Sequence, residues 1–175
     1  MKLLWNYNNL EKDPLELKEI CPSWLPFCPL KYVYFILDHG RMQRTDKMVK
    51  GALLHTALEA IFGSIYKPEE ARIRLDNGWE IVGRPDIIID DVIIEFKYTT
   101  RPNNAEYAKD RLMFYLGALE YERGYVFAIH PDRFYVMVHE VTYDDFSFHY
   151  LLNKALSVSD AVEEALKGQR IPIAS

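Results

Sequence analysis

The stretch "GRPDIIIDDVIIEFKYT", residues 83–99, constrains the fold more than any other part of the chain. Two β-branched runs flank Asp90-Asp91, a pattern that predicts a β-hairpin closed by a two-residue turn. Closure there pairs Ile89 with Val92 and sets Asp86 directly opposite Glu95. Side chains alternate faces along a strand, so Ile93, Glu95 and Lys97 share one face while Val92, Ile94 and Phe96 share the other. Like charges placed opposite one another repel. A shared proton or a bound cation would relieve that repulsion. Converging carboxylates are hard oxygen donors suited to Mg²⁺ or Mn²⁺. Lys97, on the same face, could hold an attacking water or stabilise charge building on a phosphate. A plain solvated strand face accounts for the same alternation, and Pro85 can distort the strand.

The flanking sequence supplies a frame for the hairpin. Residues 14–20 begin a short helix at Pro14. "CPSWLPFCP" is punctuated by proline and reads as irregular, while "LKYVYFILD" fits strand or helix. A helix is predicted over 45–66, capped by Thr45 or Asp46. Strands over 70–75 and 79–89 join at Asp76-Asn77-Gly78. Next come a strand over 92–99, a helix over 105–122, strands over 124–130 and 133–141, and a closing helix over 143–168. This order predicts an α/β (α+β) fold, a mixed central β-sheet flanked by helices. The length fits one domain spanning 1–175.

Composition narrows the class. The chain is 49% hydrophobic and 27% charged, enough to bury a core and too apolar for disorder. A net charge of -5 does not itself point to nucleic acid, although a local basic groove can sit on an acidic protein. Two cysteines, Cys21 and Cys28, are too few for a disulfide scaffold; they read as buried or unligated thiols. No leader-like or membrane-spanning run is present in the sequence, so a soluble cytoplasmic protein without membrane association is expected.

"GRPD", the nine-residue step from Asp86 to Glu95, and "EFK" together resemble the core motif of PD-(D/E)XK nucleases, in particular the RecB-like branch. The match extends to His55 in "GALLHTALEAI" and to "RLMFY", which partly fits a Gln-x-x-x-Tyr helix. Tyr115 agrees, but Arg111 stands where glutamine is expected. "FCPLKYVYF" is similar to the Cys-Pro segment of the CRISPR-associated RecB-like exonucleases, the fourth Cas family, which act in spacer acquisition. The resemblance covers roughly residues 20–170 and implies a restriction-endonuclease-like core. It implies that His55, Asp86, Glu95 and the Phe96 backbone carbonyl hold Mg²⁺ or Mn²⁺ and that Lys97 assists the attacking water. It implies that Arg111 and Tyr115 position DNA, single-stranded or at an end, and that CRISPR integrase proteins are partners. The implied activity is a metal-dependent DNA exonuclease; the alternative is a nuclease-fold DNA-binding adaptor of an integrase complex. Those exonucleases usually carry an iron–sulfur cluster on one early and three late cysteines. No cysteine follows Cys28 here, so no cluster is expected: either the chain is a cluster-less relative or it stops before that segment.

Several candidates keep two readings. His55 alone also suits a core histidine. Glu59, one turn on, is either its orienting partner or solvated. Arg111 and Tyr115 share a helix face, where Arg111 could grip a phosphate or Tyr115 could sit in the core. Arg41, Arg44, Lys47 and Lys50 recur at steps of three, forming either a basic rail for a nucleic-acid backbone or a solvated helix face. Arg101, Lys109 and Arg133 are weaker candidates for such contacts. His130, His139 and His149 read as structural or surface residues.

Overall fold

The computed structural model describes residues 14–38, 45–62, 68–101, 105–130, 132–133 and 135–168. The hairpin forms in the expected register. Strand β4 (Ile87–Ile89) runs antiparallel to β5 (Val92–Tyr98), with Ile89 opposite Val92 and Ile87 opposite Ile94. Asp90 supplies the left-handed residue of the turn, at φ 50°, a conformation that aspartate tolerates better than most residues.

The expected continuous strand over 79–89 is instead two strands in two sheets. Strand β3 (Glu80–Gly83) pairs with β2 (Ala71–Arg74) antiparallel and with the two-residue β1 (Glu19–Ile20) in parallel, giving the order β1-β3-β2. The chain turns through Arg84-Pro85-Asp86 and enters β4 of a second sheet. Proline lacks the amide proton that a continued ladder would need. That second sheet is β4-β5-β6-β7, where β6 (Arg123–Ile129) is parallel to β5 and β7 (Val136–Thr142) is antiparallel to β6. The architecture is therefore α+β with mixed sheets and flanking helices.

Helix α1 is brief (Pro14–Leu17), because the chain becomes β1 two residues later. The proline-rich stretch contains a 3-10 turn, Pro22–Trp24. "LKYVYFILD" lies mostly in a helix, α2 (Pro29–Leu37), with Pro29 at its first turn and Tyr32, Val33 and Ile36 buried at helical spacing. Helix α3 spans Asp46–Phe62 and is capped by Thr45, whose Oγ1 accepts the Met48 N–H at 3.4 Å. Helix α4 (Glu106–Leu119) is the crossover that makes β5 and β6 parallel neighbours, and α5 (Asp145–Leu166) closes the described chain. Asp144 caps α5 by accepting the Ser147 N–H at 2.7 Å. No described helix is long and apolar enough to cross a membrane.

The core gathers Leu112, Phe114 and Leu116 of α4, Ile93 and Val126 of the second sheet, and Ala155 and Val158 of α5. At Gly117 a Cβ would fall 2.4 Å from the Phe148 ring, so α4 and α5 meet here at a distance only glycine allows. Trp79 is fully buried, and its indole N–H donates to Glu163 Oε1 at 3.0 Å, tying the first sheet to α5.

Candidate active site

Asp86 stands at the corner between the two sheets and reaches into the hairpin. Its Oδ2 accepts the Phe96 backbone N–H at 2.7 Å. Its Oδ1 lies 3.2 Å from Nδ1 of His55, which α3 delivers. Glu95, the next residue after Ile93 on the inward face of β5, is fully buried. Arg111, from the second turn of α4, ion-pairs with Glu95 Oε2 and lies 3.8 Å from Asp86 Oδ2. Its Nη1 donates to Ser23 Oγ at 3.4 Å. The cation that the carboxylate pair calls for is thus supplied by the chain, as a guanidinium. Arg111 does not point free to solvent for a phosphate; it is half-buried against Glu95.

The charges bias one another. Burial pushes the Glu95 carboxyl up to about 8; Arg111 opposes that rise and Asp86 adds to it. Burial also pulls the Asp86 carboxyl upward, but His55, Arg111 and the Phe96 N–H outweigh it and hold Asp86 below the usual range. Two carboxylates from one hairpin are therefore driven in opposite directions, a pattern typical of functional sites. Burial, and then Arg111, push Lys97 down from its ordinary value, so its ammonium is desolvated beside the pair.

The structure brings His55, Asp86, Glu95, Lys97 and Arg111 to one place and leaves other candidates outside it. Tyr115 is buried, its hydroxyl packed 2.9 Å from the position a Cβ would take on Gly83, in keeping with its core reading. Lys50 is exposed on α3; Arg41 and Arg44 lie outside the described residues, as do the side chains of Lys47 and Glu59. Arg101 and Arg133 are exposed, and Lys109 pairs with Glu106 at 2.9 Å. His130 is buried and its Nδ1 accepts the Asp132 and Arg133 N–H groups at 3.2 Å, a turn-stabilising role. His149 is exposed beside Asp145, and His139 is half-buried on β7. Cys21 is half-buried and Cys28 exposed, so neither is a core thiol; both are unpaired with another cysteine. Sequence reasoning missed Ser23, whose only signal was its place in the proline-rich stretch. A surface cavity of about 510 Å³, lined by Phe27, Cys28, Tyr150 and Lys154 among others, is bordered by none of the carboxylate-site residues.

The two carboxylates present suit a hard divalent ion, and the imidazole adds a borderline nitrogen donor. Glu95 Oε1 is buried and has no hydrogen-bond partner among the described residues, an acceptor waiting for a positive group. Among the described residues, however, no three His, Cys, Asp or Glu side chains converge as a ready-made metal cluster, and Arg111 lies against Glu95.

No family model and no curated protein matches the chain. Solved structures do. The chain is similar to the protein SSO0001, with 21% identity, a TM-score of 0.60, and coverage of 95% of this chain and 88% of that one. It is similar to an alkaline exonuclease from Laribacter hongkongensis, with 12% identity, a TM-score of 0.61, and coverage of 90% and 94%. That exonuclease has also been solved in complex with dAMP. A phage-related exonuclease from Haemophilus somnus aligns with 12% identity, a TM-score of 0.52, and coverage of 80% and 81%. The chain shares the fold of these solved structures, two of which are exonucleases.

Proposed function

We propose that this chain is a divalent-metal-dependent DNA nuclease, acting as an exonuclease, in one domain over 1–175. The observation that carries the reading is the pair Asp86 and Glu95 on a single hairpin, flanked by His55 and Lys97. The likeness to solved exonucleases supports it at the level of fold. Asp86, Glu95 and His55 would hold Mg²⁺ or Mn²⁺, with the Phe96 carbonyl as a further donor. Such an ion lowers the pKa of a bound water and draws charge from a phosphoryl group. The chain's own groups do the rest. The Phe96 N–H fixes the Asp86 rotamer, and the desolvated Lys97 ammonium orients the attacking water and meets charge gathering on the phosphate. The motifs that resemble the RecB-like branch favour spacer acquisition or DNA-end processing in the cytoplasm, beside CRISPR integrase proteins.

The test is digestion of end-labelled single- and double-stranded DNA by purified protein. Cleavage is expected with Mg²⁺ or Mn²⁺ and not with EDTA, and Asp86→Ala should be inert. Equal cutting by the parent and Asp86→Ala would remove the site from the reading. One observation favours a second reading: Arg111 lies on Glu95, in the place of a cation. A catalytically weak DNA-binding adaptor would then bind DNA while cutting neither form in Mn²⁺.

A further inference from the structure

We infer that Arg111 is a built-in counter-cation, whose guanidinium competes with a divalent ion for Asp86 and Glu95 and moves toward the substrate phosphate when that ion binds. The inference deepens the nuclease reading and rests on it. It begins with charge. The Arg111 guanidinium ion-pairs with Glu95 Oε2 and stands 3.8 Å from Asp86 Oδ2, so one cation faces both carboxyl groups that would hold the ion. A divalent ion entering between these carboxyl groups is repelled by any cation already there unless that cation withdraws. Lys97 makes no ion pair at contact distance among those described, whereas Arg111 occupies Glu95 Oε2 and stands near Asp86 Oδ2. The competing cation is therefore Arg111.

Geometry permits the exchange. Helix α4 is anchored by Leu112 and Leu116, both fully buried, so the Arg111 backbone is fixed and only its long side chain has freedom. Ser23 Oγ, at 3.4 Å from Nη1, already offers an acceptor away from the carboxylates. A guanidinium leaving Glu95 keeps its planar fork of donors, which fits a phosphate bidentately. Among the described arginines that pair with carboxylates, Arg111 is the least exposed: its side chain is 16% exposed, against 43% for Arg72 and 51% for Arg123. Sequestration of that kind suits a group held in reserve for the site rather than one serving the surface. Arg111 is a positioning residue here, since it acts on the ion's access to the carboxylates.

The test is titration calorimetry with Mn²⁺ and no DNA, on the parent and on Arg111→Gln, alongside DNA digestion by both. Arg111→Gln is expected to bind Mn²⁺ about tenfold or more tightly than the parent, a difference of the order a lost competing charge produces. Equal or weaker binding by Arg111→Gln overturns the inference. Parent protein alone gives a second readout, should the variant not fold. In EDTA the Arg111 side-chain Nε–H should give a solvent-protected nuclear resonance signal, and saturating Mg²⁺ should shift it and remove the protection. A signal unchanged by Mg²⁺ overturns the inference. Tighter Mn²⁺ binding with no cutting by either protein leaves the counter-cation standing and ends the nuclease reading. Equal binding with cutting by the parent does the reverse, and no Mn²⁺ binding by either ends both.

Discussion

Asp86 Oδ2 accepts the backbone N–H of Phe96 at 2.7 Å, so one carboxylate of the pair is fastened to the strand that carries the other. The two acids are thereby held at a fixed separation by backbone, not by side-chain packing alone. Such a bond makes Asp86 structural as well as chemical.

Substituting Asp86 should separate these two roles. Asp86→Ala leaves a partly buried N–H without its acceptor and is expected to cost about 1–3 kcal/mol in urea unfolding. Asp86→Asn retains an oxygen for that bond and should cost less. Both should lower Mn²⁺-dependent cleavage by more than about 100-fold, beyond the loss typical of groups that merely support a ligand. Equal stability of the two variants would contradict the fastening.

The acidity of Glu95 predicts how metal-free protein responds to pH. Its carboxyl is raised from 4.5 to about 8 by burial, so the folded chain holds this proton more tightly than the unfolded chain. Its contribution to stability is full below pH 4.5 and is lost as pH rises to about 8. Asp86 has the opposite sign: its depressed value contributes above 3.8 and is lost as pH falls. Denaturation in EDTA should therefore show stability declining across the Glu95 window, with a flatter profile in Glu95→Gln. Parallel profiles for the two proteins would sink the assignment.

Lys97 should prove costly to hold. Its ammonium is desolvated, so Lys97→Met is expected to melt at the same temperature as the parent or higher, measured near neutral pH in EDTA. Cleavage should fall by about 10²–10³, the range for losing one preorganised group that meets developing charge. A variant that melts lower and cuts normally would make Lys97 a packing residue.

Gly83 tests the support beneath the site. A Cβ there would sit 2.7 Å from Pro22 Cγ and 2.9 Å from the Tyr115 hydroxyl. Gly83→Ala is expected to destabilise by about 1–3 kcal/mol through overpacking. Unchanged stability in thermal or urea unfolding would mean that strand β3 moves freely relative to Tyr115.

The hairpin was readable because its determinants are adjacent in sequence. Asp90-Asp91 sets the turn, and period-two alternation then sets which residues share a face. The division into two sheets was not readable. Strand β1 has only two residues, Glu19 and Ile20, and gains its identity from pairing with β3 some sixty positions away. Pro85 warned of a distortion, but nothing local said that the strand would change sheets there. Arg111 illustrates the same limit at the site: its spacing from Tyr115 revealed a helix face, while its partner Glu95 is chosen by how α4 docks. Tyr115 went to the core because that docking points it at Gly83.

The crossover position of α4 also bears on the order of folding. The β4–β5 hairpin is local and can form early, yet by itself it carries opposed acids with no neutralising partner. Parallel pairing of β5 with β6 closes a long loop and must await α4. The docking that buries Glu95 is the same event that delivers Arg111. Burial of this acid and arrival of its guanidinium partner thus belong to one packing event, the docking of a single helix.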